Sequence, residues 1–175
     1  MTEVLVERHA SEPLTEWELA AMSEAGSGCL DLHRVEWHRT LLSADGRELI
    51  CHFTGADLES IRMVLKAQGS LRAEIWPCTW RNAPGLTHEE LAQANVFASW
   101  RFDEPVELEE LESIDASATV CLQNHRVRFL RTFISADRRR VICLCLAADA
   151  ESVRLALRDA KRPVERIFPF RQFHP

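Results

Sequence analysis

Three histidines on predicted strands have the side-chain type and spacing for binding a metal ion. His9, His38 and His52 lie in the β-prone segments "VLVERH", "VEWHRTLLS" and "RELICHFT". The turn sequence "SADGR" favours a three-residue hairpin loop with Gly46 in the left-handed conformation, and this loop places His38 opposite His52. Paired imidazoles suit nickel, zinc or copper. His9 ends a neighbouring strand and is a weaker candidate for a third ligand.

The hairpin loop decides whether His38 and His52 meet at all. A four-residue loop would slip the register by one residue and put the two histidines on opposite faces of the sheet. With the three-residue loop, both lie on the face away from Trp37, Arg39, Leu41, Cys51 and Phe53. The competing interpretation is that the histidines are partly exposed polar residues with no ligand.

Two arginines form a second candidate site. Arg39 and Arg131 each stand on an otherwise apolar strand face, and a buried guanidinium needs a partner because an unpaired buried charge is very costly. Glu7, on a neighbouring strand, is a candidate partner of Arg39. Ser99 takes the corresponding position near Arg131, so that arginine is predicted to meet an anionic ligand. The competing interpretation is pairing with a carboxylate or with the last carbonyls of a helix.

A cysteine and a histidine are spaced one helical turn apart twice in the chain. Cys29 precedes His33 by four residues, and Cys121 precedes His125 by four. That spacing can hold a metal on one helix face. The alternative is a buried cysteine followed by a histidine that complements the helix C-terminus.

These candidate residues lie in two halves of the chain that have similar sequences. "RTLLSADGRELIC" at 39–51 reappears as "RTFISADRRRVIC" at 131–143, and a shift of 92 residues aligns 1–83 with 93–175 without a gap. About a third of the aligned positions are identical, so the chain is predicted to contain two copies of one small domain. Residues 84–92 join them, and the capping-box spacing of Thr87 and Glu90 indicates a short helix there.

Each copy reads as strand, helix, two strands, helix and strand. This βαββαβ order predicts an α+β fold of two tandem ferredoxin-like repeats, each with an antiparallel sheet and helices on one face. The hairpin strands of the second copy are apolar on both faces, which indicates cover on both. We therefore expect the repeats to pack sheet to sheet as a pseudo-dimer within one chain, with a cavity between them.

The first copy resembles a family of small bacterial ferredoxin-like domains whose named member is a nickel-binding protein. The matching features are a Trp-x-Arg strand, a Ser-x-Asp-Gly turn, a Cys-x-Phe strand, an Ala-x-Asp-x-Glu-x-x-Arg helix start and "VERH" at 6–9. The motif residues are Trp37, Arg39, Ser43, Asp45, Gly46, Cys51, Phe53, Ala56, Asp57, Glu59 and Arg62. The second copy departs at Phe129, Arg138 and Cys145. The resemblance implies a dimeric α+β barrel, made here by one chain, and divalent-metal binding.

Composition argues against several other classes of protein. The net charge of -6 is unlike that of a nucleic-acid binder, and no apolar run approaches the roughly 18 residues that would span a membrane. The N-terminus has no secretion signal and the six cysteines form no CxxC pair, which predicts a cytoplasmic protein. No nucleophile motif or phosphate-binding glycine loop appears.

The leading hypothesis is a non-enzymatic binding protein for nickel, another divalent metal or a small ligand, acting as a monomeric pseudo-dimer or a homo-oligomer. The first alternative is a cofactor-free monooxygenase or isomerase of the α+β barrel class. The second is a structural interaction module.

Overall fold

The order of elements in both copies is the predicted βαββαβ. The computed structural model describes residues 1–69 and 73–175. The elements are β1 Thr2–His9, α1 Glu16–His33, β2 Glu36–Ser43, β3 Glu48–Gly55, α2 Leu58–Ala67, β4 Ala73–Asn82, α3 His88–Ala92, β5 Val96–Arg101, α4 Leu108–Asn124, β6 Arg128–Ser135, β7 Arg140–Leu146, α5 Ala150–Asp159 and β8 Arg166–Phe173. The short helix predicted in the linker is therefore present as α3.

Side-chain caps explain where most of the helices begin. Thr15 caps α1 in a reciprocal box with Glu18, and Thr87 caps α3 in the same way. Asp57 caps α2, and Asp149 caps α5. In the described part of the chain, no helix is both long enough and apolar enough to cross a bilayer.

The chain divides into two compact units whose bounds differ from those of the repeats. Unit 1 contains Met1–Cys78 and Arg171–Pro175, and unit 2 contains Thr79–Phe170. The last strand of each repeat is thus divided, because β4 residues 79–82 belong to unit 2 and β8 residues 171–173 belong to unit 1. The sheet-to-sheet packing of the repeats stays a prediction.

Unit 1 holds an antiparallel sheet in the order β4–β1–β3–β2. Its core lies between the sheet and helices α1 and α2, because both helices bury their apolar side chains on the same sheet face. That core is formed by Val4, Val6, Leu19, Leu30, Val35, Trp37, Leu42, Leu49, Cys51, Phe53, Ile61, Val64 and Leu65. Unit 2 repeats the arrangement with the order β8–β5–β7–β6 and helices α4 and α5.

The β2–β3 hairpin differs from the predicted one by two shifts of one residue each. Leu42 pairs with Leu49 next to the turn, so the loop is one residue longer than the three-residue loop predicted. A β-bulge then lies between Trp37 and Arg39, beyond which Trp37 pairs with Phe53. The bulge cancels the shift at the turn, because two residues of β2 share one partner on β3 there.

The bulge also corrects the predicted faces of β2. Trp37 and Phe53 share a face, as predicted, and that face is the helix side, whereas Arg39 pairs with His52 on the opposite face. Arg39 was predicted to share a face with Trp37, and that prediction is wrong because a strict alternation of side chains cannot include the bulge. The β6–β7 hairpin has an equivalent bulge between Phe129 and Arg131.

The second turn tolerates the loss of its glycine. Gly46 has a φ of 73°, and Arg138 keeps the same left-handed conformation with a φ of 56°. An L-residue other than glycine pays about 1–2 kcal/mol for this conformation. The two turns therefore have the same left-handed backbone conformation at this position, but its free-energy cost is higher in the second turn.

Candidate metal centre in unit 1

The bulge in β2 brings the two predicted histidines together. The ring centroids of His38 and His52 lie 4.8 Å apart. Glu3 joins them from β1, where Leu5 pairs with His52 and Glu3 pairs with Thr54. One donor atom from each of Glu3, His38 and His52 lies within 4.8 Å of the others. The three side chains therefore form a compact group with two imidazoles and one carboxylate.

Hydrogen bonds hold the group in place. His52 Nε2 lies 2.5 Å from Glu3 Oε2, and the Thr54 hydroxyl donates to the same oxygen at 3.1 Å. Because that hydroxyl has one proton, His38 Nε2–H donates to Thr54 Oγ1 at 2.5 Å. His38 Nδ1 lies 3.3 Å from a carboxylate oxygen of Glu36. Each histidine is thus oriented by a carboxylate or a hydroxyl.

The protonation states suit metal ligation. Burial of the imidazole lowers the pKa of His52 to about 4, although the hydrogen bond and charge of Glu3 act in the opposite direction. Burial alone would raise the pKa of Glu3, but its hydrogen bond and charge interaction with His52 and its hydrogen bond from Thr54 outweigh burial and lower it. At neutral pH His52 is therefore neutral and Glu3 is ionised.

Glu3 is the residue that sequence reasoning missed. The predicted first strand began at Val4, whereas β1 begins at Thr2. Side chains at positions 3, 5 and 7 share one face of a strand, so extending the predicted strand by two residues would have placed Glu3 beside the histidines. Because Thr2 and Glu3 are polar, the apolar pattern of the strand became visible only from Val4 onward.

The structure does not bring His9 to this group. His9 lies at the other end of β1, where its Nδ1 is 2.8 Å from Glu48 Oε1, and its side chain is exposed. Among residues 1–69 and 73–175, no second group of three metal-ligating side chains lies this close together, and the Cys29–His33 and Cys121–His125 pairs therefore remain pairs.

The two predicted arginines occupy equivalent places but have different partners. Arg39 is buried and donates to Gln172 Oε1 at 3.1 Å, and desolvation lowers the pKa of its guanidinium. Arg131 stacks over Trp80 at 4.0 Å and donates to Asn82 Oδ1 at 2.8 Å. Trp80 and Gln172 are themselves equivalent positions of the two repeats.

Glu7, the predicted partner of Arg39, accepts a hydrogen bond from Trp76 Nε1 at 2.9 Å. A role of Glu7, Arg39 and Arg131 in ligand binding stays a prediction.

The comparison with protein families bears directly on this site. Residues 97–169 match the family model described as "Nickel responsive protein SCO4226-like". This is the family suggested by the sequence motifs. The matched residues lie in the second repeat, whereas the quoted motif residues lie in the first. No curated protein matched the chain.

Several solved structures have a fold similar to that of this chain, at low sequence identity. The putative chlorite dismutase TA0507 aligns over 99% of this chain and 94% of its own, with a TM-score of 0.54 and 11% identity. A mutant of the chlorite dismutase from Candidatus Nitrospira defluvii aligns over 99% of this chain and 92% of its own, with a TM-score of 0.56 and 10% identity. A putative monooxygenase from Lactobacillus acidophilus aligns over 98% of this chain and 94% of its own, with a TM-score of 0.42 and 4% identity.

Proposed function

We propose that unit 1 binds a divalent transition-metal ion, nickel before others, through Glu3, His38 and His52. The observation that carries this proposal is the convergence of two imidazoles and one carboxylate within 4.8 Å. Imidazole nitrogen is a preferred donor for nickel, copper and zinc, and a carboxylate completes a three-ligand set with open positions. Magnesium and calcium prefer all-oxygen sites and are expected to bind poorly.

The protonation states of the site favour binding of a metal cation that prefers nitrogen ligands. A metal ligand must be deprotonated, and a His52 pKa of about 4 leaves its imidazole neutral over the physiological range. Neutral His52 carries a single ring proton, on the Nε2 that lies against Glu3. Metal ligation through Nε2 would therefore shift that proton to Nδ1. Ligation by His38 through Nε2 would likewise move its proton from the contact with Thr54 to Nδ1. Nδ1 lies 3.3 Å from a Glu36 carboxylate oxygen, which could then accept that proton in the outer contact that commonly orients a ligating histidine.

The second repeat supplies an internal comparison. The positions equivalent to Glu3, His38 and His52 are Asn95, Leu130 and Leu144, shifted by 92 residues. Leu130 and Leu144 are both completely buried, so the same backbone accepts leucine at both histidine positions. The name of the matched family supports nickel as the first metal to test, although the matched residues do not include the three ligands.

The test is calorimetric titration of metal-free protein with NiCl2 and, separately, MgCl2. We expect one nickel ion to bind per chain and magnesium to give no saturable heat. The double variant His38→Leu/His52→Leu copies the second repeat and should lose nickel binding while keeping its fold. His9→Gln is the matched control, because it removes a histidine of the same sheet outside the group. Equal nickel binding by the wild type and the double variant would rule the site out.

A further inference from the structure

Unit 2 contains a cavity of about 680 Å³ beneath helix α4. Its walls are formed by α4, by residues 81–84 at and after the end of β4, and by residues in and before β6, namely Val127, Arg128, Phe129, Leu130 and Thr132. The apolar part of the wall is formed by Ala83, Pro84, Leu122, Val127, Phe129 and Leu130. A volume of several hundred Å³ with mostly apolar walls is typical of small-molecule sites.

The equivalent place in unit 1 is filled by aromatic rings. Trp37 and Phe173 lie there with ring centroids 5.8 Å apart, and Phe173 packs against the core of unit 1. Their counterparts at a shift of 92 residues are Phe129 and Arg81, which both line the cavity of unit 2. The cavity is therefore not a necessary product of the fold, since one copy closes the same place with a second ring.

Arg81 and Asp115, at the cavity wall, form an ionic group with Arg162, which does not line the cavity. Arg81 and Arg162 both donate to the carboxylate of Asp115, Arg162 at 3.1 Å, so two guanidinium groups share one carboxylate. The Arg162 side chain is only 6% exposed, and within the described residues its buried Nη1 has no hydrogen-bond partner.

Glu112 also approaches Arg81 at 3.5 Å, but its side chain is 68% exposed and water screens that pair. Arg128, at the cavity wall, is balanced by Glu90. Arg81 therefore shares its nearest carboxylate, Asp115, with Arg162, and its second carboxylate, Glu112, lies largely in water. This leaves the guanidinium of Arg81, which is itself partly exposed, able to accept a further anionic partner at the cavity wall.

We propose that this cavity binds a small organic anion with an apolar, preferably aromatic, body and one carboxylate. The ring of Phe129 and the aliphatic wall would contact the body, and Arg81 would bind the carboxylate with a charge-assisted hydrogen bond. The proposal concerns unit 2 alone and is independent of the metal site in unit 1.

Two probes of the same shape test the proposal. Metal-free protein is titrated with trans-cinnamate and with its neutral amide, cinnamide, and binding is followed by amide shifts in 1H–15N NMR spectra. Cinnamate should bind about tenfold or more tightly than cinnamide, because only the carboxylate makes a charge-assisted hydrogen bond with Arg81. The shifts should concentrate in α4 and β6.

Three variants distinguish the contribution of the Arg81 charge from that of the cavity volume. Arg81→Met should reduce cinnamate affinity to that of cinnamide and leave cinnamide binding unchanged. Ala116→Phe, which projects a ring from α4 into the cavity and keeps Arg81, should reduce binding of both probes. Arg62→Met, on α2 of unit 1, changes the net charge by the same amount and should change neither.

Far-UV circular dichroism and thermal melting check the fold of each variant. The proposal is overturned if the wild type shows no saturable binding of cinnamate. It is also overturned if cinnamate and cinnamide bind equally, or if Arg81→Met binds cinnamate as the wild type does.

Discussion

Replacing His52 by leucine should make the metal-free protein more resistant to acid. His52 is buried, and its pKa of about 4 lies below the ordinary value of 6.5. The unfolded chain therefore binds a proton at this residue between pH 6.5 and 4, where the folded chain does not. Stability falls as the pH drops through the unfolded pKa, and the loss is complete near the folded pKa.

The size of this effect follows from the shift. A difference of about 2.5 between the two pKa values corresponds to about 3 kcal/mol once the pH lies below both of them. Between pH 7 and pH 5 the two titration curves give a loss of about 2 kcal/mol. The lowered pKa of Glu3 contributes in the same direction mainly at lower pH, below its ordinary value of 4.5.

The assay is urea unfolding followed by tryptophan fluorescence at pH 7 and pH 5, with EDTA present. The wild type should lose about 2 kcal/mol more of its free energy of unfolding between these pH values than His52→Leu. His9→Gln is the control and should behave as the wild type, since His9 is exposed. If the wild type and His52→Leu lose the same free energy, the buried neutral state of His52 is refuted.

Substitutions at three positions test two local features in which the repeats differ. Lys161→Gly should raise the free energy of unfolding by about 1 kcal/mol, because Lys161 follows α5 in the left-handed conformation that glycine adopts without strain. Gly69 has this conformation after α2, so Gly69→Ala should lower the free energy of unfolding. A lower free energy of unfolding for Lys161→Gly would contradict this reasoning. Glu107→Thr should stabilise the start of α4 by about 1 kcal/mol, because Glu107 makes no side-chain cap there whereas Thr15 caps α1. Chemical unfolding measures both, and an unchanged stability of Glu107→Thr would show that the missing cap is compensated elsewhere.

The local elements of this protein could be predicted from its sequence. The similarity of the two halves is visible in the sequence, and hydrophobic periodicity with capping residues predicts the βαββαβ order and the helix in the linker, both of which the structure confirms. The helices, strands and caps depend on neighbours a few positions apart, which local patterns encode. The placement of His38 and His52 on adjacent strands could also be predicted, because a short hairpin joins those strands.

The tertiary structure decided how those strands meet. The bulge at Arg39 depends on hydrogen bonds between strands, which no periodic pattern records, and it brings His38 to His52 although the turn has a longer loop than predicted. Glu3 enters the group from a strand about fifty residues away in sequence, so only the register of β1 on β3 reveals it. The cavity beside Arg81 has the same origin, since the residues that open it come from distant segments and their meeting depends on the packing of the whole unit.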